Sequence, residues 1–91
     1  MLKLDLSKDV AKFLKKIPPK PGKQIAQKLL ALSENPYPQD SQKLKGTDNF
    51  WRADSGEYRI IYEVAENVLQ ILIIGARNDD RVYRQLKRKK N

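Results

Sequence analysis

Hydrophobic and polar positions alternate most regularly between Phe50 and Tyr62, where the sequence reads FWRADSGEYRIIY. Apolar and aromatic side chains fall on one side of this pattern: Trp51, Ala53, Tyr58, Ile60 and Tyr62. Alternation with a period of two predicts half-buried β-strands. Between the halves, Ser55-Gly56 predicts a two-residue hairpin turn, because glycine adopts the positive φ that such turns need. We therefore expect a hairpin with one apolar and one charged face.

The charged face of this hairpin depends on where the turn falls. A turn at Ser55-Gly56 predicts the opposed pairs Asp54 with Glu57, Ala53 with Tyr58, and Arg52 with Arg59. Directly opposed residues share a face, so like charges would stand together on it. Such a density of charge favours an anionic ligand.

The first third of the chain predicts a strand and two helices. Leucines alternate with polar residues over residues 1–6, which is typical of a short half-buried strand. Ser7 is a candidate N-cap for a helix over about 8–16, where apolar residues recur at helical spacing. The prolines of residues 18–22 should break that helix. A second amphipathic helix is predicted over about 22–33.

The rest of the chain predicts a connector, a buried strand and a last helix. Residues 34–49 contain several proline and glycine breaks; we interpret their QKLKG segment as a solvated connector rather than a phosphate contact. After a turn at 65–67, the segment VLQILII predicts a strand covered on both faces, with Gln70 on the face of Arg59. Asn78 or Asp79 could cap a helix reaching about Lys87, before a basic tail.

Together these elements predict one α+β domain spanning residues 1–91, in the order β-α-α-β-β-β-α. The sheet should be curved and largely antiparallel, with the two N-terminal helices packed on one face. The 91-residue length allows one small core and no second domain.

Composition narrows the possible functions. The formal net charge is +8, which favours nucleic acid or an acidic protein as partner, although charge alone can merely confer solubility. The chain has no Cys and no His, so disulfides and the usual neutral-pH proton shuttle are excluded. It has no apolar run of membrane-spanning length and no signal-peptide pattern, so we expect a cytoplasmic protein with no membrane partner.

The candidate functional residues should lie on or near the open face of the sheet. Arg52 and Arg59 should lie there, with Arg77 and Tyr83 approaching from the end of the last strand. Guanidinium groups match pairs of phosphate oxygens, and tyrosine can stack on a base or bind a phosphate. The alternative is a salt-bridged surface, with Arg59 paired to an acid of the hairpin and Tyr83 packed in the core. Spacing alone leaves both possibilities open.

Two motifs resemble the RelE/ParE toxin superfamily over nearly the whole chain. The segment WRADSGEYRIIY is similar to its central hairpin, and GARNDDRVYR, from Gly75 to Arg84, is similar to its final strand and closing helix. KLKG at 43–46 and the β-α-α start also fit. The resemblance implies a RelE-like, microbial-ribonuclease-like fold and, in the RelE branch, a toxin that cuts messenger RNA in the ribosomal A site. Such cleavage uses the 2′-hydroxyl as nucleophile, without a metal or other cofactor.

The resemblance also implies roles for individual residues. Arg59 and Arg77 match the family arginines that stabilise charge or serve the leaving group, and Tyr83 matches the tyrosine that orients the substrate. Arg52 lies where relatives carry a cation that assists the nucleophile; with its high pKa it suits electrostatic assistance better than proton abstraction. Further RNA contacts are expected from cations in the KLKG segment, the second motif and the tail: Lys43, Lys45, Arg81, Arg84, Lys87 and Arg88.

Two positions depart from the family pattern, and they leave alternatives open. Asp54 stands where relatives commonly carry a basic residue, and Ala76 where many carry a histidine. The expected partners are the 70S ribosome with messenger RNA and an acidic, RelB-like antitoxin that displaces the last helix; the free toxin should be monomeric. The alternatives are a ParE-like toxin that inhibits DNA gyrase by binding, and a non-catalytic nucleic-acid-binding module.

Overall fold

The computed structural model describes residues 1–46 and 49–78, and these residues form two helices and a five-stranded sheet. The elements are β1 Lys3–Leu6, α1 Lys8–Lys16, α2 Pro19–Glu34, β2 Gln42–Lys43, β3 Trp51–Ser55, β4 Tyr58–Ala65 and β5 Val68–Ala76. The strand order is β1-β5-β4-β3-β2, with β1 parallel to β5 and the other neighbours antiparallel. The predicted α+β architecture is confirmed, while the predicted last helix lies outside the described residues.

Helix α1 has the predicted bounds because its start is capped as the sequence indicates. The Ser7 hydroxyl accepts a hydrogen bond from the Val10 amide at 3.2 Å. The same hydroxyl donates to the Leu72 carbonyl at 2.9 Å, which joins the start of the helix to strand β5. Beyond Lys16, Ile17 is extended, the conformation that a following proline favours.

Helix α2 starts at Pro19, earlier than the predicted start near Gly22. The prediction was wrong because Pro19 and Pro21 occupy the first turn, whose amides have no partner within the helix. Proline is well tolerated there, since its fixed φ suits the helix and no hydrogen bond is lost. The proline segment therefore ends α1 but begins α2.

The hairpin is present, but its predicted register was wrong. Ser55 pairs with Tyr58, so the loop is Gly56-Glu57 and Gly56, at φ 59°, takes the first loop position. Glycine at that position is the requirement of a type II′ turn. Asp54 consequently opposes Arg59 instead of Glu57, and Arg52 opposes Ile61 instead of Arg59. The predicted clash of like charges does not occur.

An irregularity in the pairing of β5 with β4 changes which β5 side chains lie on each face of the sheet. The pairing shifts between Ile61 and Tyr62, so that Ile71 and Ile74 both pack on the helical side while Ile73 lies on the other. Past the shift, Gln70 opposes Glu63, which places Gln70 on the face of Arg59 as predicted.

The main core lies between the helices and the sheet. Its buried members are Val10, Ile25, Leu29, Leu32, Ala53, Ile60, Tyr62, Leu69, Ile71 and Ile74. A smaller cluster, Leu44 with Ile61 and Ile73, lies on the opposite face. Residues 42–46 are therefore not a solvated connector: Gln42–Lys43 pairs with β3, and Leu44 is buried because it covers this cluster. Neither helix in the described residues is long and apolar enough to cross a membrane.

Candidate functional site

Three arginines form a diagonal row across the open face of the sheet, which we call the arginine row: Arg52, Arg59 and Arg77. Arg52 opposes Ile61, two residues from Arg59 on β4. Arg59 opposes Gly75, and the Arg77 amide donates to the Glu57 carbonyl at 2.9 Å, which continues the register on the side of Arg59. Diagonal neighbours in an antiparallel pair lie about 7–8 Å apart, within reach of long side chains. The predicted grouping of these arginines is present.

Arg59, the central member, pairs with Asp54 on the adjacent strand. Its Nε lies 2.9 Å from Asp54 Oδ1, and its Nη2 lies 3.4 Å from Oδ2. The Arg59 side chain is 15 % exposed and that of Asp54 is 37 % exposed. The ion pair that the sequence left as an alternative is therefore formed. An anion that approaches Arg59 must compete with a carboxylate already in place.

Two neighbours of the row were not identified from the sequence. Gln42 opposes Arg52, and its Oε1 accepts a hydrogen bond from Arg52 Nη2. Nothing in a glutamine within a proline-rich connector signals this contact. Gly75 opposes Arg59 and offers no side chain to cover the guanidinium. The glycine that ends the apolar VLQILII run was the available signal.

The other predicted RNA contacts are not gathered at the row. Lys43 opposes Trp51, which packs against the helical core, so Lys43 lies on the opposite face from Arg52. Lys45 is exposed in the turn after β2. The remaining candidates, Tyr83, Arg81, Arg84, Lys87 and Arg88, lie outside the described residues.

The arginine row offers positive charge and directed hydrogen-bond donors. Arginine stays protonated at all physiological pH values and presents a planar fork to pairs of anionic oxygens. The described residues bring together no group of three or more Asp and Glu side chains that could hold a metal ion. The row therefore suits the binding of an anion and the stabilisation of charge that develops on it.

Two residues outside the arginine row have pKa values that the structure shifts. Burial raises the pKa of Tyr62 to about 12, and its hydroxyl donates to the Pro36 carbonyl at 2.5 Å on the helical side. A hydrogen bond from Lys28, with Nζ 2.7 Å from the Asp40 carboxylate, lowers the pKa of Asp40. At neutral pH Tyr62 stays protonated, so it does not supply a base.

Solved structures of small toxins share this fold of two helices on a five-stranded sheet. The archaeal RelE toxin in the RelE–RelB complex of Pyrococcus horikoshii superposes with a TM-score of 0.75 at 30 % identity, covering 85 % of this chain and 96 % of that one. A mutant of the E. coli toxin RelE in the free state superposes with a TM-score of 0.79 at 25 % identity, covering 96 % of both chains. The fold is that of RelE-like toxins.

Sequence comparison gives the family. Residues 4–81 match the model of the ParE toxin of the type II toxin–antitoxin system parDE. The putative toxin RelE1 of Methanocaldococcus jannaschii is 34 % identical over 64 residues, which cover 67 % of this chain and 71 % of that protein. The chain belongs to the RelE/ParE superfamily of type II toxin–antitoxin toxins.

Proposed function

We propose that this toxin is a ribosome-dependent endonuclease that cuts messenger RNA in the A site and so inhibits translation in the cytoplasm. The observation that supports this best is the arginine row, with Arg59, whose side chain is 15 % exposed, at its centre. Attack of a 2′-hydroxyl on the adjacent phosphate places extra negative charge on the phosphoryl oxygens. Fixed cations aimed at those oxygens lower the barrier because they are already oriented before the reaction begins.

The position of each arginine suggests its share of the work. The Arg59 side chain is 15 % exposed and its guanidinium is already held by Asp54, so it suits a phosphoryl oxygen that needs a fixed donor. Arg77 is exposed directly after β5, where it can contact the leaving 5′-oxygen and stabilise its charge. Arg52, held by Gln42, lies where it can lower the pKa of the attacking 2′-hydroxyl. Tyr83 is assigned its orienting role by family resemblance alone.

The departures from the family pattern suggest a strong dependence on the ribosome. Asp54 places negative charge beside the phosphate site, and Ala76 offers no proton carrier before Arg77. Holding the substrate in a reactive geometry can supply several orders of magnitude in rate without a better base or acid. We therefore expect negligible cleavage of free RNA.

We propose an acidic RelB-like antitoxin as the inhibitory partner. The P. horikoshii relative is known in complex with its RelB. In this chain an apolar groove between β1 and the two helices is lined by Leu4, Leu6, Leu14, Gly22, Ala26, Leu29 and Leu30. Leu4 and Leu30 are 42 % and 57 % exposed, and the net charge is +8. An amphipathic segment with acidic flanks complements both features.

Primer extension on programmed ribosomes tests the endonuclease. We expect cuts within the A-site codon for the unaltered protein and their loss in Arg77→Ala. Lys23→Ala is the control, because it removes a cation that is also exposed but lies on α2 instead of in the arginine row. Intact messenger RNA with the unaltered protein, or equal cutting by Arg77→Ala, would contradict the proposal.

A second candidate function is the inhibition of DNA gyrase by binding, because the matching family model is that of ParE toxins. A supercoiling assay with purified gyrase separates the two functions. Loss of supercoiling, together with uncut messenger RNA on ribosomes, would favour the ParE-like function. If both assays are negative while RNA is bound, the chain is a non-catalytic binding module.

A further inference from the structure

A pair of aromatic rings lies apart from the arginine row, beside the edge strand β2. The ring centroids of Tyr37 and Trp51 are 4.7 Å apart, and the ring planes are inclined at 50°. Tyr37 is 50 % exposed although it contacts another ring. A large aromatic side chain packed on one side and open on the other leaves a flat surface on which a further ring can stack.

The loop that presents Tyr37 is fixed by hydrogen bonds. The Tyr37 amide donates to Asn35 Oδ1 at 3.2 Å, which closes a local turn. The Pro36 carbonyl accepts from the buried hydroxyl of Tyr62 at 2.5 Å, which anchors the loop to the centre of the sheet. Because the ring is already held in place, stacking on it loses little conformational entropy.

A cation stands beside the rings. Lys43 opposes Trp51 across the β2–β3 pair, so their side chains share a face, and Lys43 is exposed. Lys45 follows, also exposed, in the next turn. Aromatic surfaces next to lysines are typical of proteins that bind single-stranded nucleic acid, where a base stacks on the ring and the phosphate meets the cation.

We propose that Tyr37 and Trp51 form a stacking platform for one unpaired base of RNA, with Lys43 at the neighbouring phosphate. The proposal rests on the proposed action on RNA and adds a second contact to it. At the β2 edge, Gln42 and Arg52 lie on one face of the sheet and Lys43 and Trp51 on the other. A single strand that leaves the arginine row therefore reaches the platform by crossing this edge.

Fluorescence titration tests the platform directly, because Trp51 is the chain's one tryptophan. The full-length protein is titrated with a short unstructured RNA and with an abasic oligonucleotide of the same length. We expect RNA to quench the Trp51 emission and the abasic strand to leave it nearly unchanged. Tyr37→Leu should weaken RNA binding about fivefold or more, and Tyr37→Phe should restore it, since the ring does the stacking.

Two further variants separate the platform from general effects. Lys43→Ala should lower the slope of log affinity against log salt by about 0.7, the value for one lost contact to a single-stranded phosphate. Tyr58→Leu is the matched control: it removes a ring from the chain's pair with Phe13, whose centroids are 5.6 Å apart, and should leave binding unchanged. Thermal unfolding verifies that each variant is folded at the temperature of the titration.

The outcomes distinguish this proposal from the proposed function. Arg77→Ala should lose cleavage on ribosomes but keep the quenching. Quenching by RNA without any cleavage on ribosomes would support the stacking platform and contradict the proposed endonuclease activity. Cleavage without quenching, equal quenching by the abasic strand, or unchanged binding by Tyr37→Leu would overturn the platform. Quenching by an acidic peptide but not by RNA would assign this surface to a protein partner instead.

Discussion

Asp54 shows how one residue can oppose the chemistry of its neighbours. It lies on the open face with the arginine row, and its carboxylate holds the central guanidinium of Arg59 at 2.9 Å. The ion pair fixes the position of Arg59, but it also occupies the fork that a phosphate needs. The sequence identified Asp54 as a departure from the family pattern, yet its partner depended on a turn whose position the sequence did not determine.

Replacing Asp54 with asparagine should strengthen RNA binding by a few-fold. The pair is partly exposed, so its disruption should lower the free energy of unfolding by about 1 kcal/mol or less. RNA affinity measured by fluorescence anisotropy checks the first expectation, and chemical denaturation checks the second. Glu63→Gln is the matched control, because it neutralises an acid on the same face that opposes Gln70 instead of an arginine. Weaker binding by Asp54→Asn would mean that the carboxylate positions Arg59 for the phosphate rather than competing with it.

At the scale of elements, the helices were more predictable than the strand registers. Ser7 and the apolar spacing of α1 carry local information, and the predicted bounds agree with the structure. The hairpin register has no such local signal. Gly56 can occupy either of the two loop positions, and the two choices give different strand pairings. The shift between Ile61 and Tyr62 has no local signature either, because it is set by packing on both faces of the sheet. That the three arginines share the open face could be predicted, because this depends only on the alternation of side chains along each strand. The partners of Arg52 and Arg59 could not be predicted, because they depend on the register between strands.

The second hairpin turn offers a test at this scale. Glu66 and Asn67 both have positive φ, at 52° and 65°, the combination found in type I′ turns. Glutamate is poorly suited to that conformation, whereas Asn-Gly is the preferred pair. The double variant Glu66→Asn with Asn67→Gly should raise the free energy of unfolding by about 1 kcal/mol, which urea denaturation measures.

The control for this double variant is a glycine placed where the backbone φ is negative. Ala65→Gly lies in the adjoining strand and should destabilise the protein by about 0.5–1 kcal/mol. If the double variant lowered stability as well, the charge or contacts of Glu66 would outweigh its backbone strain.

At the scale of the whole molecule, Tyr62 joins parts that are distant in sequence. It is fully buried in the main core, and its hydroxyl holds the loop at Pro36, which presents Tyr37. Burial raises the pKa of Tyr62 to about 12 from its ordinary value of 10. The folded protein therefore binds this proton more tightly than the unfolded chain, and stability should depend on pH in the alkaline range.

The sign of this dependence follows from the raised pKa. The contribution of Tyr62 is fully present below pH 10 and is lost as the pH rises towards 12, with a slope of at most about 1.4 kcal/mol per pH unit. Tyr62→Phe should be less stable by about 1 kcal/mol at pH 7 and should lose this part of the slope. Urea denaturation between pH 7 and pH 11 measures both effects. An identical slope in the two proteins would assign the alkaline transition to lysines and other tyrosines.

The pairing of β1 with β5 also determines when this toxin can first exist as a folded protein. The first strand has its partner near the other end of the described chain, and the hydrogen bond from Ser7 to Leu72 spans 65 residues. Chains are synthesised from the N-terminus, so β1 and both helices must wait while the central strands are made. Pairings of such long sequence separation form late and slowly. Arg59 and Arg77 therefore come together only after β5 has been synthesised, and an antitoxin that is present by then can bind the toxin before it acts.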